Sequence, residues 1–219
     1  MHFKLWLLSA IFFTIPSSLL LAFEAKLSVP AIPYEVLTIS SKIEPERFFR
    51  GELEGYPHMY EFTLGEEQVL TVKVMQKEAS LLLPLSLIIV KANDNNRGVA
   101  EVGRVSGKDT TTWLPYEDSR LGFSILQGET FTTTLGSGVY RMEVSTPENV
   151  GKYMLMIGTT DNPQGYFATV ADIYRLQSFF GLPFLTIFLS SYVFYPFGVI
   201  LLLGLMYLTW RYKKPLNHA

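Results

Sequence analysis

"SGVYRMEVSTPENVGKYMLMIG", residues 137 to 158, holds two runs in which apolar and polar side chains take turns. Tyr140, Met142 and Val144 alternate with Arg141 and Glu143. Beyond the turn Pro147 to Gly151, Tyr153, Leu155 and Ile157 alternate with Lys152. A period of two sends successive side chains to opposite faces of an extended chain, so each run reads as a strand with one face in a core. The same period recurs upstream, where Leu70, Val72 and Val74 oppose Thr71 and Lys73. Clusters of turn residues ("GEEQ", "NDNNRG", "QGE", "GSG") punctuate the runs. From Tyr34 to Gly158 this pattern predicts eight or nine short strands and no long amphipathic helix. "SLLLPLSLIIVK", residues 80 to 91, is the most continuously apolar run and predicts a central strand with Pro84 at its start. The fold class is therefore all-β, a two-sheet sandwich or jelly roll. A closed barrel has the same periodicity.

The stretch "GELEGYPHMYEFTLGEEQVLTVKV", residues 51 to 74, together with the 137–158 segment, resembles the bacterial pre-peptidase C-terminal domain. Tyr60 and Phe62 match that family's first aromatic strand motif. Gly138 and Tyr140 match the second, and Gly151, Tyr153 and Leu155 the third. The matches lie at the two ends of residues 50–158 and leave the middle unmatched. The resemblance implies a small jelly-roll-like β-sandwich of the kind appended to secreted enzymes. Where the family carries an acidic residue before the tyrosine, this chain has Pro57 and His58. No calcium site is carried over, and no cofactor is expected.

Both ends of the chain are apolar. "MHFKLWLLSAIFFTIPSSLLLAFEAKLS" has Lys4 ahead of an apolar core from Leu5 to Ile15, which reads as a secretory signal. Cleavage after Ala22 or Ala25 would set the large residues Leu20 or Phe23 at the −3 position, so residues 1–25 are either a signal peptide or an uncleaved signal anchor. From Leu182 to Trp210 there is no charge. Crossing a hydrocarbon core of ~30 Å takes ~20 helical residues, so residues 183–210 suffice for one transmembrane helix. Tyr207, Trp210, Arg211, Lys213 and Lys214 form its interface anchors, and the positive-inside rule makes the tail, 211–219, cytoplasmic. The expected location is the cytoplasmic membrane, crossed once, with the β-domain (26–160) outside. Residues 161–182 are expected to be a juxtamembrane helix and linker. Phe167, Val170, Ala171, Tyr174 and Ser178 would share one of its faces, Gly181 would stop it, and Phe179, Phe180 and Phe184 would lie at headgroup level.

His58 is the only histidine between the two ends. A histidine metal site needs several ligands, and a hydrolase needs a nucleophile in a suitable turn, which no G-x-S-x-G supplies. His58 reads as the start of a strand after a Gly55-Tyr56-Pro57 turn, with Tyr56, Pro57 and His58 as a candidate surface patch. "NDNNRG" misses the EF-hand spacing and reads as a turn. Trp113 and Tyr116, with Glu117 and Asp118, form a candidate ligand-contact loop for a carbohydrate or peptide. The alternative is that these aromatics cap one end of the core.

Of 219 residues, 48% are hydrophobic and 17% charged. From Glu24 to Ser190, 14 Lys and Arg stand against 20 Asp and Glu, so this stretch carries −6. A mildly acidic body argues against nucleic acid as a partner, and none is expected. With no cysteine, disulfides, thiolate metal sites and cysteine nucleophiles are excluded. The expected function is that of a membrane-tethered, non-catalytic binding or assembly module, or the accessory subunit of a membrane complex. Its partner would pack on the span through Ser190, Ser191 and Gly204. Two alternatives are a hydrolase using Glu117, Asp118 and His58, and an accessory to the export or maturation of other secreted proteins.

Overall fold

The computed structural model describes residues 25–78, 82–93, 98–107, 113–116, 118–162 and 164–213. Their strands are β1 (Ala25–Ser28), β2 (Val36–Thr38), β3 (Arg47–Glu54), β4 (His58–Leu64), β5 (Gln68–Lys77), β6 (Ser86–Ala92), β7 (Val99–Val105), β8 (Leu114–Tyr116), β9 (Ile125–Gln127), β10 (Phe131–Leu135), β11 (Gly138–Ser145) and β12 (Val150–Ile157). The additions to the expected set are β1, β2, β8 and β9, each of three or four residues and too short to show a period.

The strands form two sheets. One runs β1-β3-β12-β5-β9-β8, with β10 also paired to β5; the other runs β2-β4-β11-β6-β7. Two separate sheets make a sandwich and remove the barrel alternative. The apolar run after Pro84 supplies β6, interior to the second sheet. Between the sheets lie Tyr60, Phe62, Leu70, Val72, Leu87, Ile89, Tyr140, Met142, Tyr153 and Leu155, all buried. Leu70, Val72, Tyr140, Met142, Tyr153 and Leu155 are residues of the period-two pattern, and each fully buried aliphatic side chain contributes roughly 1.5–3 kcal/mol.

The seven-stranded sheet is covered on its other face as well. Phe48 of β3, Met75 of β5, Ile125 of β9 and Met154 and Met156 of β12 point away from the sandwich core into a second apolar cluster. Ile173, Leu176 and Phe180 fill it from helix α1 (Tyr166–Phe179), and Ile187 and Tyr192 from the chain that follows. The expected face of this helix is corrected. Its buried side chains are Thr169, Ile173, Leu176 and Gln177, whereas Phe167 is 84% exposed. The stripe spaced by fours and threes that meets the methionines decides the orientation.

At its C-terminus α1 closes as the Gly181 stop predicts. Gly181, at φ 71°, lets its N–H reach the Ser178 carbonyl and the Leu182 N–H reach that of Gln177, at 2.9 and 3.0 Å. Two sheet lysines also hold this end. Lys152 Nζ donates to the Phe179 carbonyl at 2.8 Å and Lys77 Nζ to that of Phe180 at 3.4 Å, cations placed at the negative end of the helix dipole. Phe180 is buried in the second cluster, and the Phe179 ring lies 5.0 Å from Lys152 Nζ. Neither is the free headgroup-level aromatic expected; Phe184 is exposed. A 3₁₀ turn, Phe184–Leu189, leads to α2 (Ser191–Lys213), which holds Pro196 and is long and apolar enough to cross a membrane.

Candidate functional site: the junction of sandwich and span

The loop after β8 joins the sandwich to the start of α2. Arg120 stands at its centre. Its Nε donates to Asp118 at 2.8 and 2.9 Å, and its two terminal nitrogens reach Glu46 at 3.0 and 3.2 Å. The side chains of Arg120, Glu46 and Asp118 are only 17, 13 and 8% exposed. Burial works against the Arg120 charge, but the hydrogen bonds and charges of the two carboxylates outweigh it and hold the guanidinium above its ordinary value.

The same loop grips the start of α2. Ser190 Oγ donates to the Arg120 carbonyl at 2.5 Å, and the Ser191 N–H to that of Ser119 at 2.9 Å. Gln177 of α1 donates to the Leu121 carbonyl at 2.7 Å. At Gly122, with φ 70°, a Cβ would lie 2.6 Å from the Ser190 nitrogen, so only glycine permits this approach. Ser190 is fully buried and Ser191 half-buried, and both bond to the chain's own loop. Gly204 is exposed on α2.

Beside this clamp a cleft of about 580 Å³ opens, lined by Glu78, Tyr116, Asp118, Phe123, Leu126 and Leu189 among others. Tyr116 is half-buried, with Lys73 Nζ 5.6 Å from its ring. Its hydroxyl is pushed up to about 12, by burial first and then by the charges of Asp118 and Glu46. The cleft is therefore a mixed surface of two carboxylates and two aromatic rings, beside the start of the span.

Of the residues expected to make a ligand-contact loop, Tyr116 and Asp118 line this cleft. Trp113 does not: it is 9% exposed and packs in the core between the sheets. Glu117 lies outside the described residues. Asp118 is committed to Arg120. Tyr207, Trp210 and Arg211 are exposed along the last turns of α2, Lys213 is its final residue, and Lys214 lies outside the described residues. Residues 1–24, expected to be a signal peptide or signal anchor, and "DNNR" (94–97) are likewise outside them.

His58 begins β4, but it is 1% exposed, so the candidate surface patch loses it. Tyr56 and Pro57 are half-buried beside it. Its Nδ1 lies 2.8 Å from the Tyr153 hydroxyl, which lies 2.7 Å from that of Tyr60. Burial pushes the imidazole below its ordinary value. Gly51 makes room: a Cβ there would stand 2.6 Å from the Tyr153 ring. The three aromatic motifs of the sequence thus meet inside the sandwich. Phe62 and Tyr140 are register partners with rings stacked 5.5 Å apart, and Tyr153 closes on Tyr60 from the other sheet. His58 faces the inter-sheet core while Asp118 belongs to the helical side of the seven-stranded sheet, so among the described residues these two members of the hydrolase reading do not meet. Among the described residues no three His, Cys, Asp or Glu side chains converge as a metal site.

No protein-family model matches the chain, and no curated protein does so either. Among solved structures, it is similar to the pre-peptidase C-terminal domain of a collagenase from Bacillus anthracis. The TM-score is 0.36 at 12% sequence identity, with 59% of this chain and 98% of that chain covered.

Proposed function

We infer that this protein is a non-catalytic β-sandwich held rigidly over a membrane by its own anchor, where it serves as a binding or assembly module for a membrane complex. The observation that carries the reading is the clamp of Arg120 between Glu46 and Asp118, with Ser190 bonded to the Arg120 carbonyl. A domain meant to search freely for ligands is usually joined to its anchor by a polar linker. Here α1 and the loop after β8 fill that interval with packed apolar contacts, so the sandwich keeps one orientation to the bilayer. A fixed pose favours a partner that is itself in the membrane.

The sandwich lies on the outer side and the Arg211–Lys214 end in the cytoplasm, by the positive-inside argument. Partners reach it through the exposed faces of α2 and, for a peptide or carbohydrate, through the Tyr116–Asp118 cleft. Gentle extraction followed by lysine crosslinking tests the role: a membrane protein recovered in constant ratio is expected, and a chain that stays alone in intact membranes refutes it. Protease added to spheroplasts tests the sidedness, since the sandwich should be digested while the tail survives.

A further inference from the structure

From Leu176 to Trp210 the chain carries no charged residue. Crossing a bilayer uses only part of that run. Within α2, Ser191 to Trp210 is 20 residues, which at ~1.5 Å per helical residue reaches about 30 Å, one hydrocarbon thickness. The uncharged chain ahead of Ser191 is then left at the depth of the headgroups. It includes the 3₁₀ turn Phe184–Leu189, in which only Ile187 is buried.

The other large side chains of this turn point outward. Phe184 is 62% exposed, Leu185 71% and Phe188 37%. On α1, Phe167 and Tyr174 are seven residues apart, so they share one flank, and both are exposed. The charged pair of this helix, Asp172 and Arg175, bonded to each other at 2.9 Å, lies on the other flank. Tyr174, Phe184, Phe188 and Phe197 meet edge to face one after another, with ring centroids 5.8, 6.4 and 5.6 Å apart. Phe197 belongs to α2. The row of rings thus runs unbroken from the helix that covers the sandwich onto the helix that suits a bilayer. A surface in water seldom leaves so continuous an apolar patch bare, whereas aromatic rings are favoured where headgroups meet acyl chains.

We propose that Phe167 and Tyr174 of α1, with Phe184, Leu185 and Phe188, form a second membrane contact, immersed at the headgroup–acyl boundary of the leaflet in which α2 begins. The inference rests on reading α2 as a span. Phospholipid is the occupant because the rings continue onto that helix, at a depth set by the helix's own length. The seven-stranded sheet, carrying α1, is then the side of the sandwich turned to the bilayer, and the five-stranded sheet looks away. The clamp at Arg120 fixes sandwich to helix, and this contact fixes both to the membrane plane.

The full chain has no cysteine, so single introduced labels report depth. Phe167→Cys, Leu185→Cys, Leu202→Cys and Thr63→Cys each carry a fluorophore in phosphatidylcholine vesicles. Quenchers are a lipid nitroxide near the top of the acyl chain, one at the chain end, and iodide in the water. Labels at 167 and 185 should be quenched by the shallow nitroxide and shielded from iodide. The label at 202, halfway along α2, should answer to the deep nitroxide. The label at 63, exposed on β4, should answer to iodide alone. Adding Phe184→Ser and Phe188→Ser should return the 185 label to iodide while 202 stays deep. If 167 and 185 are as open to iodide as 63 while 202 is deep, the second contact is refuted and the span stands. Labels shielded from iodide yet quenched by neither lipid would put protein over the rings and also overturn the proposal. A 202 label untouched by lipid refutes the span, and this inference with it.

Discussion

The Tyr166 hydroxyl donates to the Tyr192 carbonyl at 2.8 Å, the acceptor that Pro196, four residues on, has no N–H to satisfy. Proline inside a helix leaves the carbonyl at i−4 without its usual donor. Here the first residue of α1 supplies the replacement, so the defect that Pro196 makes in α2 becomes a joint between the two helices. Tyr166→Phe should lower stability by about 0.5–1.5 kcal/mol, the net worth of one hydrogen bond. In a Pro196→Ala background, where the alanine N–H restores the intrahelical bond, the same change should cost less. Denaturant unfolding of the two singles and the double in detergent checks this, and additive losses would refute the coupling.

Replacing Arg120 should be the most damaging single change at the junction. Arg120→Met strands two largely buried carboxylates, a loss of roughly 3–5 kcal/mol. Arg120→Lys should recover little, because one ammonium cannot copy the fork that engages Asp118 and Glu46 together. The unfolding midpoint in urea is the readout. If lysine restored the wild-type midpoint, a plain charge rather than the bidentate geometry would be at work.

Glycine substitution offers a matched comparison. Gly122→Ala meets both a left-handed backbone and a Cβ 2.6 Å from the Ser190 nitrogen, and should cost about 1–3 kcal/mol, as overpacking does. Gly136→Ala meets nothing within 4 Å and should be near neutral. Limited proteolysis should show the first variant opening between β9 and α2, and equal resistance in both would contradict the tight approach.

Stability should fall on mild acidification because of His58. Burial depresses its folded-state pKa, so as pH drops below the unfolded value of about 6.5 the unfolded chain takes up a proton that the folded chain refuses. The loss grows until the pH reaches the folded-state value and then levels off, with a slope of at most about 1.4 kcal/mol per pH unit. Tyr56 and Tyr153 face the ring, with Tyr60 behind the Tyr153 hydroxyl, and they offer no negative charge at these pH values. His58→Gln should flatten the curve between pH 6.5 and 5; an unchanged curve would assign the effect to the carboxylates.

The inter-sheet core was legible in the sequence because one parity of each strand is apolar and the other polar. The third layer was written less plainly. In β12 the even positions Met154 and Met156 are apolar too, and a strand apolar at both parities signals a sheet covered on both faces. The alternation of Tyr153, Leu155 and Ile157 with Lys152 drew the reading to a strand with one buried face, nothing local said that α1 was the cover, and the aromatic residues of α1 suggested the wrong face. The clamp was not legible at all. Glu46 and Arg120 are 74 positions apart, and no local spacing pairs a loop arginine with a carboxylate ahead of β3. Trp113 was open to two readings, a ligand contact or a cap on the core, because an aromatic next to turn residues does not show which it is until the sheet that buries it is known.

The place of β12 in its sheet has a consequence for biosynthesis. It lies between β3 and β5, so those two strands wait on either side of an open slot until the last strand of the body has been made. A ribosome delivers the chain from its N-terminus, so this sheet can close only once Ile157 has emerged. Ser191 follows 34 positions later. Closure of the body and emergence of the apolar helix α2 are thereby brought almost into one moment, and a chain halted before β12 would leave two long strand edges open to the wrong neighbour.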